Sequence, residues 1–243
     1  MKLKVIGSSS KGNAYALITN DEILLLECGC KFSEVKKAID YQFLKIKGCL
    51  VSHGHKDHLK YIREYLSAGI PVYTNDETQE DIEIITGERL YGVTEKIPFS
   101  ISGFRVTPFY VPHGDTPCFA YLIEHSDMGR LLFATDYEYL PWSFRNWKIE
   151  HFLIEANYSD DFVNPDMPNY DHVLTGHASL KTCLKVIETN KTPNLRTIIM
   201  CHLSGVSGSI NYFITEMKKV AGRGVWVDCA EPGMTVELFK DPF

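Results

Sequence analysis

Apolar and polar positions change rhythm along the chain, and each change predicts an element. The first third carries short apolar or β-branched runs cut by turn residues: 2-KLKVI-6, 14-AYALIT-19 and 22-EILLLEC-28, with Asn20-Asp21 between the last two. Runs of that length and composition predict strands. The period lengthens over 33-SEVKKAID-40, which predicts a helix with Ser33 as N-cap. The run 46-IKGCLV-51 predicts a buried strand. Beyond it, 57-DHLKYIREYLSAG-69 predicts a helix with Leu59, Ile62 and Leu66 on one face and Gly69 at its end. The middle of the chain is again strand-like, at 104-FRVTPFYV-111, 118-CFAYLIEH-125, 130-RLLFAT-135 and 151-HFLIEA-156. The last quarter alternates helix and strand: 178–190, 196–201, 208–222 and 224–229. Strand-rich blocks, each followed by helix–strand alternation, predict two sheets packed face to face with helices outside. The aromatic stretch 140-LPWSFRNWK-148 fits neither period and reads as a loop, either over a site or packed on the surface.

Composition narrows this picture. No Gly/Ser/Pro-rich linker divides the 243 residues. Residues 1–243 are therefore expected to form one domain, since α/β folds often reach ~250 residues as one unit. Apolar residues at 44% supply a large core, and a net charge of −6 gives no sign in the totals of a broad basic surface for non-specific DNA binding, while leaving a local basic patch open. The seven cysteines, Cys28, Cys30, Cys49, Cys118, Cys183, Cys201 and Cys229, form no paired structural-zinc framework and suit reduced thiols in cytosol. The start, 1-MKLKVIGSSSKGN-13, lacks the apolar core of a signal peptide, and no run reaches the ~18 residues of a membrane span. A soluble cytoplasmic protein is expected.

The candidate chemistry lies in 51-VSHGHKDHLK-60, where His53, His55, Asp57 and His58 follow a buried strand. His53 and His55 are two apart and point the same way in extended backbone. Asp57 and His58 open the next helix. One cation cannot easily take four ligands from so short a loop, whereas two adjacent cations can. Imidazole and carboxylate donors suit Zn, Mn or Fe. Further donors stand just past other apolar runs: His113 in 111-VPHGD-115, Asp136 in 130-RLLFATD-136 and His202 in 196-RTIIMCH-202. A lone histidine at a strand end is ordinarily structural, and His125 and His151 are read so. The 53–58 cluster is not, because burying that many polar groups costs free energy unless they are paired or bound to metal.

This order, H-x-H-x-D-H and then a distant His, an Asp and a final His, resembles the metallo-β-lactamase superfamily over nearly the whole chain. The resemblance implies an α/β fold, the four-layer αββα sandwich. It implies two divalent metal ions, Zn or Mn with Fe also compatible. His53, His55 and His113 would hold one, Asp57, His58 and His202 the other, and Asp136 would bridge them. Within the superfamily, 7-GSSSKGNAYALI-18 resembles the opening of YycJ-type (WalJ-type) metallohydrolases. The stretch 23-ILLLECG-29 is similar to that group's strand ending in Asp-x-Gly, with Glu27 in place of the aspartate. Likewise 153-LIEANYSDD-161, 175-TGHASLKT-182 and 201-CHLSG-205 resemble its later segments, whereas 204-SGVSGSIN-211 departs in being richer in glycine. Nucleases of that group and the related tRNase Z branch imply proton-transfer roles for Glu155 and His177.

The expected activity is therefore metal-dependent phosphodiester hydrolysis on single-stranded nucleic acid, nucleic-acid ends or a nucleotide. Asp57 would also orient the nucleophile. The 8-SSSKGN-13 loop, through Ser8, Ser9, Lys11 and Asn13, would contact a phosphate, although Ser/Gly/Asn is also ordinary turn chemistry. Thioester or lactone hydrolysis on the same metal core is the alternative enzyme class. An inactive metal-binding interaction module is the non-enzymatic one. A di-iron oxidoreductase would want an attached flavin domain, for which 243 residues leave no room.

Overall fold

The computed structural model describes residues 1–82, 89–159, 161–162, 175–203 and 210–240. Two seven-stranded mixed sheets lie face to face. The first runs β14-β1-β2-β3-β4-β5-β6, where β1 is Lys2–Gly7, β2 Ala14–Ile18, β3 Ile23–Leu26, β4 Ile46–Leu50, β5 Val72–Thr74, β6 Leu90–Gly92 and β14 Thr235–Glu237. The second runs β13-β12-β11-β10-β9-β8-β7, where β7 is Phe99–Ile101, β8 Phe104–Val111, β9 Cys118–His125, β10 Gly129–Ala134, β11 His151–Glu155, β12 Thr197–Cys201 and β13 Trp226–Cys229.

Why the strands read as nearly continuous apolar runs is visible in the burial. Along β3, Leu24 and Leu26 join the core between the sheets, while Ile23 and Leu25 join a second core under helices α1 (Phe32–Ala38) and α3 (Ile62–Ser67). Strands covered on both faces lose the polar alternation of a half-exposed sheet. The second sheet does the same: Leu153 and Ile199 face inward, while Ile154 and Ile198 pack under α5 (Leu180–Asn190) and α6 (Ile210–Ala221). The result is the αββα sandwich expected from the sequence.

The differences are local. Ser33 does not cap α1; the cap position is Lys31, and the Phe32 N–H is met by Glu64 Oε2 at 2.8 Å. The helix expected over 57–69 breaks into α2 (Lys56–Leu59) and α3. Carbonyls of α2 are claimed from outside: Asp57 O accepts Asn13 N–H and His58 O accepts Cys28 N–H, each at 2.8 Å, while Tyr61 N–H turns to Cys28 O. With those groups engaged, the i→i+4 ladder cannot continue. Gly29 lies inside this junction, where a Cβ would fall 1.7 Å from Asp57 O. Ser179 caps α5 by accepting Thr182 N–H. Helix α6 is described from Ile210; residues 204–209 of the glycine-rich stretch lie outside the described residues, as does Asp160 of 153–161. The 140–148 stretch is irregular apart from one 3₁₀ turn at Arg145–Trp147, and it is pinned by Trp142 Nε1 donating to Tyr110 O. Strands β5, β6, β7 and β14 and the helix α4 (Asp76–Asp81) are three to six residues long and carry too little periodicity to be foreseen.

Candidate metal centre

The donors converge because strands of both sheets end at one rim. His53, His55, Asp57 and His58 follow β4, His113 follows β8, Asp136 follows β10, Glu155 ends β11 and His202 follows β12. Three of the turns are left-handed at residues other than glycine: Glu27 at φ 64°, Asp136 at φ 50° and His202 at φ 53°. Such backbone costs about 1–3 kcal/mol per residue and persists where the surroundings enforce it. Here it swings a carboxylate or an imidazole off the end of a strand into the rim.

Two groups of donors form around one carboxylate. His53, His55, His113 and Asp136 make the first, and Asp57, His58, Asp136 and His202 the second; within each, one donor atom per residue lies within 4.8 Å of all the others. Asp136 Oδ2 is 3.6 Å from His53 Nε2 and 3.4 Å from His58 Nε2. Its other oxygen, Oδ1, is 2.9 Å from His202 Nδ1. Asp136 also joins a third group with Glu155, His177 and His202. All the expected metal ligands are therefore brought together, and the two proton-transfer candidates stand beside them.

The ring orientations suit cation binding. His113 Nδ1 lies against the Gly176 carbonyl, which can only accept, so Nδ1 carries the proton and Nε2 turns a lone pair inward. His53 Nδ1 is 2.9 Å from Ser52 Oγ, and its buried Nε2 has no hydrogen-bond partner. His55 Nδ1 and His113 Nε2 face each other at 3.1 Å. A fully buried imidazole nitrogen aimed at a carboxylate cluster without a hydrogen bond is costly unless a cation takes its lone pair. The residues therefore fit a divalent metal.

Electrostatics point the same way. Burial pulls the His53 pKa well below the ordinary value, and the neighbouring His58 adds to this, so His53 is neutral. Burial also opposes charge on His58 and His202, but Asp136 outweighs it and holds both well above the usual imidazole range. Asp136 itself is pushed up by burial yet drawn well below the carboxylate range by His202 and His58. The field that holds protons on those two rings favours a divalent cation in their place, with proton release on binding.

A layer of supporting groups surrounds the donors. Glu27 is fully buried, accepts Ser52 N–H at 3.2 Å and sits 3.5 Å from His58 Nδ1. Glutamate at this position thus still reaches the ligand loop. Glu155 Oε1 accepts from His177 Nδ1 and His202 Nδ1, both at 2.8 Å, while Oε2 takes the Tyr137 and Ala178 N–H groups. Asn13 Nδ2 donates to Asp57 Oδ2 at 3.1 Å, and Ser8 Oγ accepts His202 N–H. Ser9 and Lys11 lie on the outer turn, with Ser9 half-buried and Lys11 exposed. Ser52, Tyr15 and Asn157 were not foreseen. Asn157 donates to the His202 carbonyl at 2.8 Å, and Tyr15 donates to Ser8 Oγ at 2.9 Å. Ser52 stands beside His53, and Tyr15 and Asn157 lie inside the segments 7–18 and 153–161 that carry the resemblance, but the sequence assigned none of them a role. His125 pairs with Glu22 at 3.0 Å and His151 bonds Met128 O, both outside these groups.

A four-layer sandwich with paired His/Asp donor groups at the strand ends is the architecture of a metallohydrolase. The chain belongs to the β-lactamase superfamily: residues 24–202 match the family described as beta-lactamase superfamily domain. It is 26% identical over 153 residues to the exodeoxyribonuclease YycJ of Bacillus anthracis, spanning 58% of this chain and 56% of that relative. It is 24% identical over 149 residues to ribonuclease J 1 of Streptococcus pyogenes serotype M3, spanning 52% of this chain and 26% of that relative. The match thus spans about half of the first relative and a quarter of the second. Among solved structures, the metallo-β-lactamase fold protein YhfI from Bacillus subtilis shares the fold at a TM-score of 0.75 and 20% identity, covering 97% of this chain and 99% of that one.

Proposed function

We propose that this chain is a dinuclear metal-dependent phosphodiesterase that acts in the cytoplasm on single-stranded nucleic acid or nucleic-acid ends. One observation carries the reading: a single buried carboxylate, Asp136, is common to both donor groups. His53, His55 and His113 would hold one ion and Asp57, His58 and His202 the other, with Asp136 between them. Zn and Mn suit these donors, and Fe is compatible. When bound, such a pair lowers the pKa of water from 15.7 toward ~7 and withdraws charge from a phosphoryl oxygen.

The chain's own groups do the rest. Asp57 reaches the cluster through Oδ2 and orients the nucleophile. His177, held at Nδ1 by Glu155, offers Nε2 to protonate the leaving oxygen. Glu155 fixes that ring and the His202 ring with one oxygen atom. Ser8 and Asn13 steady His202 and Asp57, and the outer Ser9 and Lys11 remain for the phosphate. The net charge of −6 suits a short strand or an end better than long duplex. No helix among the described residues is long and apolar enough to cross a membrane.

Hydrolysis of bis(p-nitrophenyl) phosphate and of 5′-labelled single-stranded DNA and RNA, with Mn or Zn, tests this. Metal-dependent cleavage by the wild type and its loss in Asp136→Ala are expected. Two bound ions per chain without any phosphodiester cleavage would overturn the reading and point to thioesters or lactones.

A further inference from the structure

The two sheets end side by side on one flank. β13 closes the second sheet and β14 the first, so each has a ladder edge without a strand partner among the described residues. Between them lies a groove of about 850 Å³ whose apolar lining includes Leu195, Val225, Trp226, Val236 and Phe239. Val227 and Cys229 of β13 face the helix-side core, so Trp226, one step out of phase, takes the face toward the first sheet. Val236 belongs to the core between the sheets. The groove thus draws on both cores, Val236 from the one between the sheets and Leu195 and Val225 from the one under the helices, and opens them to water. Trp226 is 59% exposed and Phe239 41%. Large exposed side chains beside an apolar groove and two unpaired strand edges mark a contact surface.

The rim says what fits. Arg223 has no ion pair among the described residues, and Glu237 meets Lys2 only across an exposed 3.5 Å contact. The buried Nε of Arg196 has no acceptor, while its Nη1 donates to the Pro193 and Leu195 carbonyls. Both charge signs, an apolar floor and an unmet donor share one groove. A surface of this kind is complementary to itself: about a two-fold axis, a cation on one chain meets an anion on the other, and the reverse contact follows by symmetry. A nucleic-acid strand suits it less well, since Glu237 and the apolar floor would face phosphates.

We propose that two copies of this chain associate about a two-fold axis through the β13–β14 groove. Each sets its Trp226 against the other's apolar floor and its Arg223 against the other's Glu237. Trp226 pairs with Thr197 at the start of β12, whereas His202 follows that strand's end. The groove therefore lies ~17 Å of strand away from the metal centre. The association stands independently of the catalytic reading.

Sedimentation velocity on the 243-residue chain, from about 1 to about 100 µM, tests it. A shift from monomer to dimer is expected. Arg223→Glu and Glu237→Arg should each weaken the dimer by roughly tenfold or more, and the double reversal should restore it. Trp226→Ser should stay monomeric with unchanged circular dichroism and unchanged metal binding. A wild type that is monomeric throughout, or a double reversal that fails to recover association, overturns the proposal. So does quenching of tryptophan fluorescence by single-stranded oligonucleotide in a monomeric wild type that is lost in Trp226→Ser, which would make the groove a nucleic-acid contact.

Discussion

The hydroxyl oxygen of Ser8 accepts the backbone N–H of His202 at 3.0 Å, tying the end of the first strand to the last histidine of the cluster across 194 positions of sequence. Tyr15 donates to the same oxygen from the neighbouring strand. His202 needs this, because its backbone is left-handed and its peptide N–H is buried. Ser8→Ala would strand that N–H at a cost of ~1–3 kcal/mol. It should also weaken metal binding by about 10- to 100-fold, the usual effect of losing a group that orients a ligand. Urea unfolding and calorimetric titration with Mn would read the two effects separately. Tyr15→Phe should show a smaller form of both.

The convergence of the candidate donors was legible because their segments follow apolar runs, and a strand that stops at a rim delivers its next residues there. The sandwich was legible because β3, β10, β11 and β12 are buried on both faces and read as continuous apolar stretches. The Ser8–His202 contact was not legible. Serine in a turn has a local explanation, and nothing along the chain says that its hydroxyl turns inward. The break between α2 and α3 was hidden for a similar reason: the apolar spacing of Leu59, Ile62 and Leu66 is helical throughout, and the interruption comes from Asn13 and Cys28, which are distant in sequence.

His177 and Glu155 should separate on mutation. His177→Ala removes the proposed proton donor but no member of the two Asp136-centred donor groups, so kcat should fall about 10²–10⁴-fold with metal stoichiometry unchanged. Glu155→Gln is different. The carboxylate accepts from His177, His202, Tyr137 N–H and Ala178 N–H, while an amide keeps one acceptor oxygen and turns two hydrogens toward donors. Glu155→Gln should therefore lower stability and metal affinity as well as kcat. Metal analysis of both purified variants checks this, and equal metal loss in both would refute the division of roles.

His151 sets an acid limit on stability away from the metal centre. Its ring is fully buried and donates to Met128 O at 3.0 Å, and burial pulls its pKa down to about 4. The unfolded chain protonates it near the ordinary 6.5, so the unfolded state takes up the proton first. The stabilising contribution is complete above about 6.5, shrinks as the pH falls, and is exhausted below about 4. Over that window ~3 kcal/mol should be lost. Urea midpoints from pH 7 to 4 should fall less steeply for His151→Gln than for the wild type. Parallel slopes would show that the ring does not titrate in this window.

Metal should stabilise the fold as well as equip it. The cluster packs imidazoles against one another, with His53 and His58 ring centres 4.2 Å apart and His53 and His113 4.8 Å apart, around one buried carboxylate. A cation bound by the native arrangement and not by the unfolded chain adds stability as RT ln(1 + [L]/Kd), about 2.7 kcal/mol at a hundredfold excess over Kd. The melting temperature should therefore rise with added Mn or Zn and fall with a chelator, by more for the wild type than for Asp136→Ala. Because Asp136 belongs to both donor groups, that substitution should remove both ions rather than one. Asp57→Ala or His202→Ala should spare the His53–His55–His113 group and leave about one ion per chain, with a smaller thermal shift. Retention of two ions by Asp136→Ala would show that the carboxylate does not join the two sites.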